Sequence, residues 1–154
     1  MEDCLGLYAR DILSSGLLGH LRSYPSHSIR GQGNRALHCL RTAFLAYKMA
    51  RALGADVRAC VRAALLHDVG YSGWPSVLKA ILGHAVKSAR IAEGLGEEGV
   101  VVRAVRDHMF PISGRPPSDR VSLIVWLADK IDCLLELLGL TRWLGEAPGL
   151  EDRL

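Results

Sequence analysis

Apolar residues recur every three or four positions along most of the chain and break off at glycines, prolines and short polar runs, the pattern of helices joined by turns. From about Asp3 to Arg22, the positions Leu5, Tyr8, Ile12, Leu13 and Leu17 predict a first helix. Ser23 to Gly33 is rich in turn formers and reads as a polar, basic loop carrying His27. Asn34 is the expected N-cap of a long helix to about Leu53, with Leu37, Leu40, Phe44, Tyr47 and Ala50 on its buried side, His38 in its first turns and Gly54 as its stop. Asp56 caps a third helix that ends at His67-Asp68, with Gly70 as a left-handed stop just beyond. Tyr71 to Pro75 form a turn. Ser76 then caps a short helix through Leu82, closed by Gly83, and His84 opens another to about Leu95. Glu97 to about Met109 is helical, with Val101, Val105 and His108 on one side. Pro111 to Pro117 is a loop containing Arg115, because its prolines remove donors and fix backbone angles. Ser118 caps the last long helix, through about Leu138, with Asp129 near its middle. The tail from Thr141 uses Trp143 as a packing anchor and frays after Pro148-Gly149.

At 154 residues the chain is long enough to bury a core and is expected to form a single domain, 1–154, with its core at about 34–138 and the first helix and the tail packed on it. A content of 49% hydrophobic but only 6% aromatic residues, rich in Ala and Leu, favours helices over strands, so the expected class is all-α. Of the 19 basic residues only Lys48, Lys79, Lys87 and Lys130 are lysines. Arginine therefore carries the positive field, and its planar fork suits bidentate contacts to a small phosphorylated substrate. A net charge of +3 without a basic block makes nucleic acid an unlikely partner. Cys4, Cys39, Cys60 and Cys133 form no CxxC pair, so they read as reduced, mostly buried thiols. Met1 is followed by Glu2 and Asp3 instead of a basic leader, and no apolar run is long enough to span a bilayer. The expectation is a cytoplasmic protein without membrane contact; a homodimer is left open.

The candidate chemistry gathers around His67-Asp68. Neighbours on a helix point about 100° apart, so both reach one ion only where the helix ends. His38, His84 and His108 recur on the other predicted helices at ends or inward faces. Asp129 follows a run of apolar positions beginning at Leu123, and burying a carboxylate is costly unless it is paired or holds a cation. A lone histidine on an apolar helix is more often a core residue than a ligand, and an inward arginine such as Arg41 or Arg62 would satisfy Asp129 equally well. The joint recurrence of four histidines and two aspartates is what raises metal ligation above those alternatives.

The order His38, His67-Asp68, Asp129 resembles the H…HD…D signature of the HD-domain metal-dependent phosphohydrolases. Three local contexts carry the likeness: Arg35-Ala36-Leu37-His38-Cys39-Leu40, Ala64-Leu65-Leu66-His67-Asp68-Val69-Gly70 and Leu127-Ala128-Asp129-Lys130-Ile131-Asp132. The resemblance covers about residues 34–138 and implies a compact all-helical bundle. His84 and His108 lie where binuclear members carry two further histidines. The resemblance thus assigns one divalent ion to His38, His67, Asp68 and Asp129 and a second to Asp68, His84 and His108, with Asp68 bridging. Imidazole and carboxylate ligands suit Fe, Mn, Co, Ni or Zn. Two such ions about 3.5–4 Å apart activate a hydroxide and polarise a phosphoryl group.

The implied reaction is hydrolysis of a phosphate ester or anhydride of a nucleotide or similar small molecule. Among subfamilies the sequence is most similar to the HD-type symmetrical dinucleoside tetraphosphatases, although Tyr71 replaces their lysine after HD-x-Gly and the spacer from His108 to Arg115 is longer. Asp68 and His67 are the expected catalytic centre, with Arg41 and Lys130 as supporting catalytic groups. Arg41, Arg115 and His27 are expected to contact substrate. Asp132, one turn after Asp129, reads either as an orienting carboxylate for a ligand histidine or as a solvated surface acid. Two other readings share the residues: a di-iron oxygenase, and a non-catalytic nucleotide-binding module.

Overall fold

The computed structural model describes residues 2–26, 33–73 and 77–141, with the backbone alone for 2, 3 and 77–82. Among the described residues six α-helices follow one another: α1 (Glu2–Ser14), α2 (Arg35–Leu53), α3 (Val57–Leu66), α4 (Val77–Gly94), α5 (Gly99–Asp107) and α6 (Arg120–Leu137). No strand forms among the described residues; a single antiparallel bridge joins Pro25 to Asn34. The all-α expectation holds. His27, Trp74, Ser76 and Trp143 lie outside the described residues.

Helix α2 is the axis of the molecule. Asn34 caps it by accepting from the Leu37 N–H at 3.0 Å, and Gly54 ends it at φ +62°, where a side chain would be strained. Its inward residues include Ala36, Ala43, Ala46 and Ala50, all fully buried, and these small side chains let α3 and α6 approach it closely. Leu40, Leu65, Leu66 and Ile124 fill the space between, and each contributes roughly 2 kcal/mol by leaving water. Leu37 and Phe44, expected on the buried side, are only partly covered, because α2 buries the faces of Ala36, His38 and Cys39 instead.

Helix α3 is capped by Asp56, which accepts from the Ala59 N–H at 2.9 Å, and ends at Leu66, so the His67-Asp68 doublet stands in the turn just past the helix. On α6, Asp119 accepts from the Ser122 N–H at 2.8 Å and takes the capping role expected of Ser118 one residue earlier.

Three boundaries differ from the sequence reading. The first helix stops at Ser14, because Gly16 turns the chain at φ +70°, and a 3-10 turn over Gly19–Ser23 follows. The short helix to Leu82 and the helix opening at His84 are one continuous α4: a glycine inside a helix costs only about 1 kcal/mol, and no proline accompanies Gly83. Gly70 is absent from the positive-φ glycines, so it is not a left-handed stop. Its reason is contact. A Cβ there would run into the α4 backbone, 2.8 Å from both the His84 carbonyl oxygen and the Lys87 carbonyl carbon, and the Gly70 N–H donates to Ser88 Oγ at 2.8 Å. The turn carrying His67-Asp68 is thereby pressed against the helix carrying His84.

Candidate metal centre

Five helices bring six residues together in the interior, from their ends and faces. His38 comes from the second turn of α2, His67 and Asp68 from the turn after α3, His84 from α4, His108 from the end of α5, and Asp129 from the middle of α6; all six are at most 4% exposed. The imidazoles form two close pairs, His38 Nε2 to His67 Nε2 and His84 Nε2 to His108 Nε2, each at 3.1 Å. Asp129 Oδ1 stands 3.2 Å from His38 Nε2 and 3.9 Å from His67 Nε2. Asp68 lies between the pairs. Its Oδ1 is 3.0 Å from His84 Nε2 and 3.9 Å from His108 Nε2, while its Oδ2 is 3.8 Å from His67 Nε2.

The outer nitrogens decide how these rings present themselves. The carbonyl oxygens of Ala64 and Val105 accept from Nδ1 of His67 and His108, each at 2.6 Å, so both rings turn a bare Nε2 inward. Burial pushes the pKa of His67 down and that of His108 to about 3, the latter helped by neighbouring imidazoles. Burial pushes the carboxyls of Asp68 and Asp129 up, but the effect is outweighed. Histidines His67 and His84 with Arg35 hold Asp68 well below the carboxylate range, and His38, His67 and Lys130 do the same for Asp129. His38 moves the other way from His67 and His108: burial opposes its charge, yet Asp129 and Asp132 accept from its two nitrogens and raise it to about 10. Carboxylate oxygens and bare imidazole nitrogens converging within 3–4 Å form a donor set that a coordinated cation would satisfy. The donor set fits a divalent transition metal. Cys133 Sγ donates to Asp129 Oδ1 at 3.4 Å, and burial beside that carboxylate pushes its thiol up, so it is a neutral neighbour and not a thiolate.

Around this centre the outer residues divide. Asp132, fully buried, accepts from His38 Nδ1 at 2.7 Å and from Arg41 Nε and Nη2 at 2.7 and 3.0 Å. Arg41 Nη2 also meets Glu136 Oε1 at 3.1 Å, and Ser26 Oγ donates to the same oxygen. Residues 129, 132 and 136 share one face of α6, so the helix period itself builds this ladder. Arg41, expected to contact substrate, is instead spent on two carboxylates, and its effect on the centre runs through Asp132. Asp132 is no solvated surface acid. The alternative in which Arg41 or Arg62 satisfies Asp129 also fails, because Arg62, in the middle of α3, pairs with Asp11 and Glu97. Lys130 Nζ lies 2.6 Å from Asp129 Oδ2 and is 38% exposed, at the rim. Arg115 sits on the exposed turn after α5, outside the cluster. The sequence reading missed Arg35. Its Nη1 meets Asp68 Oδ2 at 2.5 Å and its guanidinium lies 3.7 Å over the Tyr71 ring, while its Nε is buried without a hydrogen-bond partner among the described residues. The signal was available, since Arg35 precedes His38 by three residues and so shares its helix face.

The HD domain family model matches residues 35–134. The chain belongs to the HD domain family, the family that its H…HD…D motif order resembles. Among similar proteins are ribonuclease Y of Cutibacterium acnes, 37% identical over 116 residues, covering 75% of this chain and 20% of that protein, and ribonuclease Y of Borrelia garinii subsp. bavariensis, 32% identical over 126 residues, covering 82% and 22%. The chain thus spans about a fifth of the length of these relatives. The crystal structure of a predicted HD superfamily hydrolase from an uncultured Thermotogales bacterium shares the fold, with a TM-score of 0.57 at 21% identity over 95% of this chain and 84% of that one. No helix of the described residues is long and apolar enough to cross a membrane.

Proposed function

We propose that the chain is a binuclear metal-dependent phosphohydrolase that cleaves a phosphodiester joining nucleotide units. The observation that carries this reading is Asp68, whose two carboxylate oxygens face different imidazole pairs, Oδ1 the pair His84/His108 and Oδ2 the side of His67. In this reading His38, His67, Asp68 and Asp129 hold one ion, and Asp68, His84 and His108 the other. Such ions, when bound, supply Lewis-acid polarisation of the phosphoryl group and activation of the attacking water.

The chain's own residues do the rest. Asp132, braced by Arg41, orients the His38 ring and fixes which nitrogen faces inward. Arg35, laid on Tyr71, holds Asp68 in the rotamer that serves both pairs. Lys130 stands at the rim beside Asp129, where an ammonium neutralises an incoming phosphate without blocking the centre. The exposed Arg115 contacts substrate beyond the centre, and His27 is retained as a substrate-side group from the sequence alone. The modest net charge argued against nucleic acid, but relatives that are ribonucleases support a phosphodiester over a phosphomonoester, and a short oligonucleotide needs no strongly basic face.

The test is hydrolysis of bis(p-nitrophenyl) phosphate and p-nitrophenyl phosphate by protein stripped with chelator and reloaded with Mn, Fe, Co, Ni, Zn or Mg. The diester is expected to turn over only with metal. Failure of every metal to restore turnover, or consumption of dioxygen by the iron-loaded protein without ester cleavage, overturns the reading, the second outcome in favour of a di-iron oxygenase.

A further inference from the structure

Two surface cavities of nearly equal size each carry two arginines. One, of about 240 Å³, lies where α3 meets the start of α5 and is lined by Arg58 and Arg62 together with Glu97 and Glu98. Its positive charge is cancelled internally, since Arg62 is locked to Glu97 at 2.6 Å and to Asp11 at 2.7 Å. The other, of about 220 Å³, lies between α4 and the turn after α5, lined by Ala85, Val86, Arg106, Met109, Ile112 and Arg115. Here no carboxylate side chain of the described residues is in the lining. The Arg106 Nε contact to Asp107 is long, 3.4 Å, and among the described residues Arg115 forms no ion pair. Opposite these cations, Val86 and Ile112 are 45% and 55% exposed, an apolar wall turned to water.

The groove has a fixed relation to the centre. Ala85 directly follows His84 and Met109 directly follows His108, so both walls begin one residue along the chain from the second imidazole pair. The turn is held: the Ser113 N–H donates to the Met109 carbonyl at 3.1 Å, the Gly114 N–H to the Pro111 carbonyl at 3.0 Å, and Trp126 Nε1 on α6 to the Phe110 carbonyl at 2.7 Å.

We infer that this groove is the subsite for the nucleotide unit next to the scissile phosphodiester, with Arg106 and Arg115 taking its phosphate and Val86, Met109 and Ile112 covering its base or ribose. The inference rests on the phosphohydrolase reading for its link to catalysis. Arg115, without an ion pair among the described residues, and Arg106, held only by a 3.4 Å contact to Asp107, stand beside an apolar wall and match a nucleotide's two halves, and the volume admits about one such unit.

The experiment compares a 5′-fluorescein-labelled RNA trinucleotide with bis(p-nitrophenyl) phosphate, which has no flanking nucleotide. The doubly substituted Arg106→Gln/Arg115→Gln protein is expected to bind the labelled trinucleotide at least tenfold more weakly by fluorescence anisotropy. Its ratio of kcat/KM for trinucleotide over the small diester is expected to fall by a similar factor, carried by KM. Arg58→Ala, in the self-neutralised cavity, is expected to leave both measures unchanged. Trinucleotide binding unaffected by the double substitution, or weakened equally by Arg58→Ala, overturns the inference. The anisotropy arm decides the groove even if neither substrate turns over, an outcome that would instead count against the phosphohydrolase reading.

Discussion

The imidazoles of the centre are oriented by two different means, and each pair contains one ring held by its own helix end. His38 is oriented by side chains from far along the chain: Asp132 holds its ring, Arg41 holds Asp132, and Glu136 holds Arg41. His67 and His108 are oriented by the backbone of their own helix ends, through the Ala64 and Val105 carbonyls three residues back. Local helix geometry therefore serves both pairs, and what separates them is that the first depends also on a buried charge network through His38, the second on how closely α4 is packed. Substitutions outside the ligands should tell the two apart.

Asp132→Ala should produce the largest effect. It leaves His38 and Arg41 facing each other without their carboxylate, a loss of about 3–5 kcal/mol by the usual cost of breaking a buried pair, measured by denaturant unfolding. Asp132→Asn keeps the shape and should weaken metal binding at the first pair by about 10–100-fold while sparing the second, as isothermal titration with Mn would resolve. Equal weakening at both would break the contrast. Gly70→Ala attacks the other side: forcing a Cβ against the His84 and Lys87 backbone should cost about 1–3 kcal/mol and weaken metal binding by the His84/His108 pair first. Glu136→Gln, two contacts removed from His38, should lower first-pair affinity only severalfold, and a loss as large as that of Asp132→Asn would mean Glu136 acts directly.

The Arg62 cluster supplies the smallest effect and a baseline for a charge network away from the centre. Hydrogen bonding to Arg62 lowers Asp11 from 3.8 to about 2. Its contribution is complete above pH 3.8 and is lost as the pH falls toward 2. Asp11 is two-thirds exposed, so Asp11→Asn should remove less than about 1 kcal/mol of that acid-range stability and leave metal binding untouched.

Much of this arrangement was legible before any coordinates. Asn34 and Asp56 announced their helices because a cap is a local event: a short polar side chain satisfies N–H groups that nothing else can reach. Asp129 was conspicuous because a carboxylate inside an apolar run must be answered. What stayed hidden depended on distance along the chain. Gly70 reads as a stop because its sequence neighbourhood ends a helix, whereas its real constraint is the backbone of α4, reached only after folding. Arg41 looks like a phosphate ligand one turn from His38 until α6 brings Asp132 and Glu136 to it. The α4 helix was split in two at Gly83 because propensity registers the cost of a glycine but not the packing on α5 that outweighs it.

The central claim is that Asp68 serves both pairs, and metal content tests it most directly. Wild type, Asp68→Ala and His84→Ala proteins, reloaded with Mn and washed, are assayed for ions per chain by mass spectrometry, with circular dichroism as the check on folding. The account predicts two ions in the wild type, none in Asp68→Ala and one in His84→Ala. Equal losses from Asp68→Ala and His84→Ala in folded protein would contradict it.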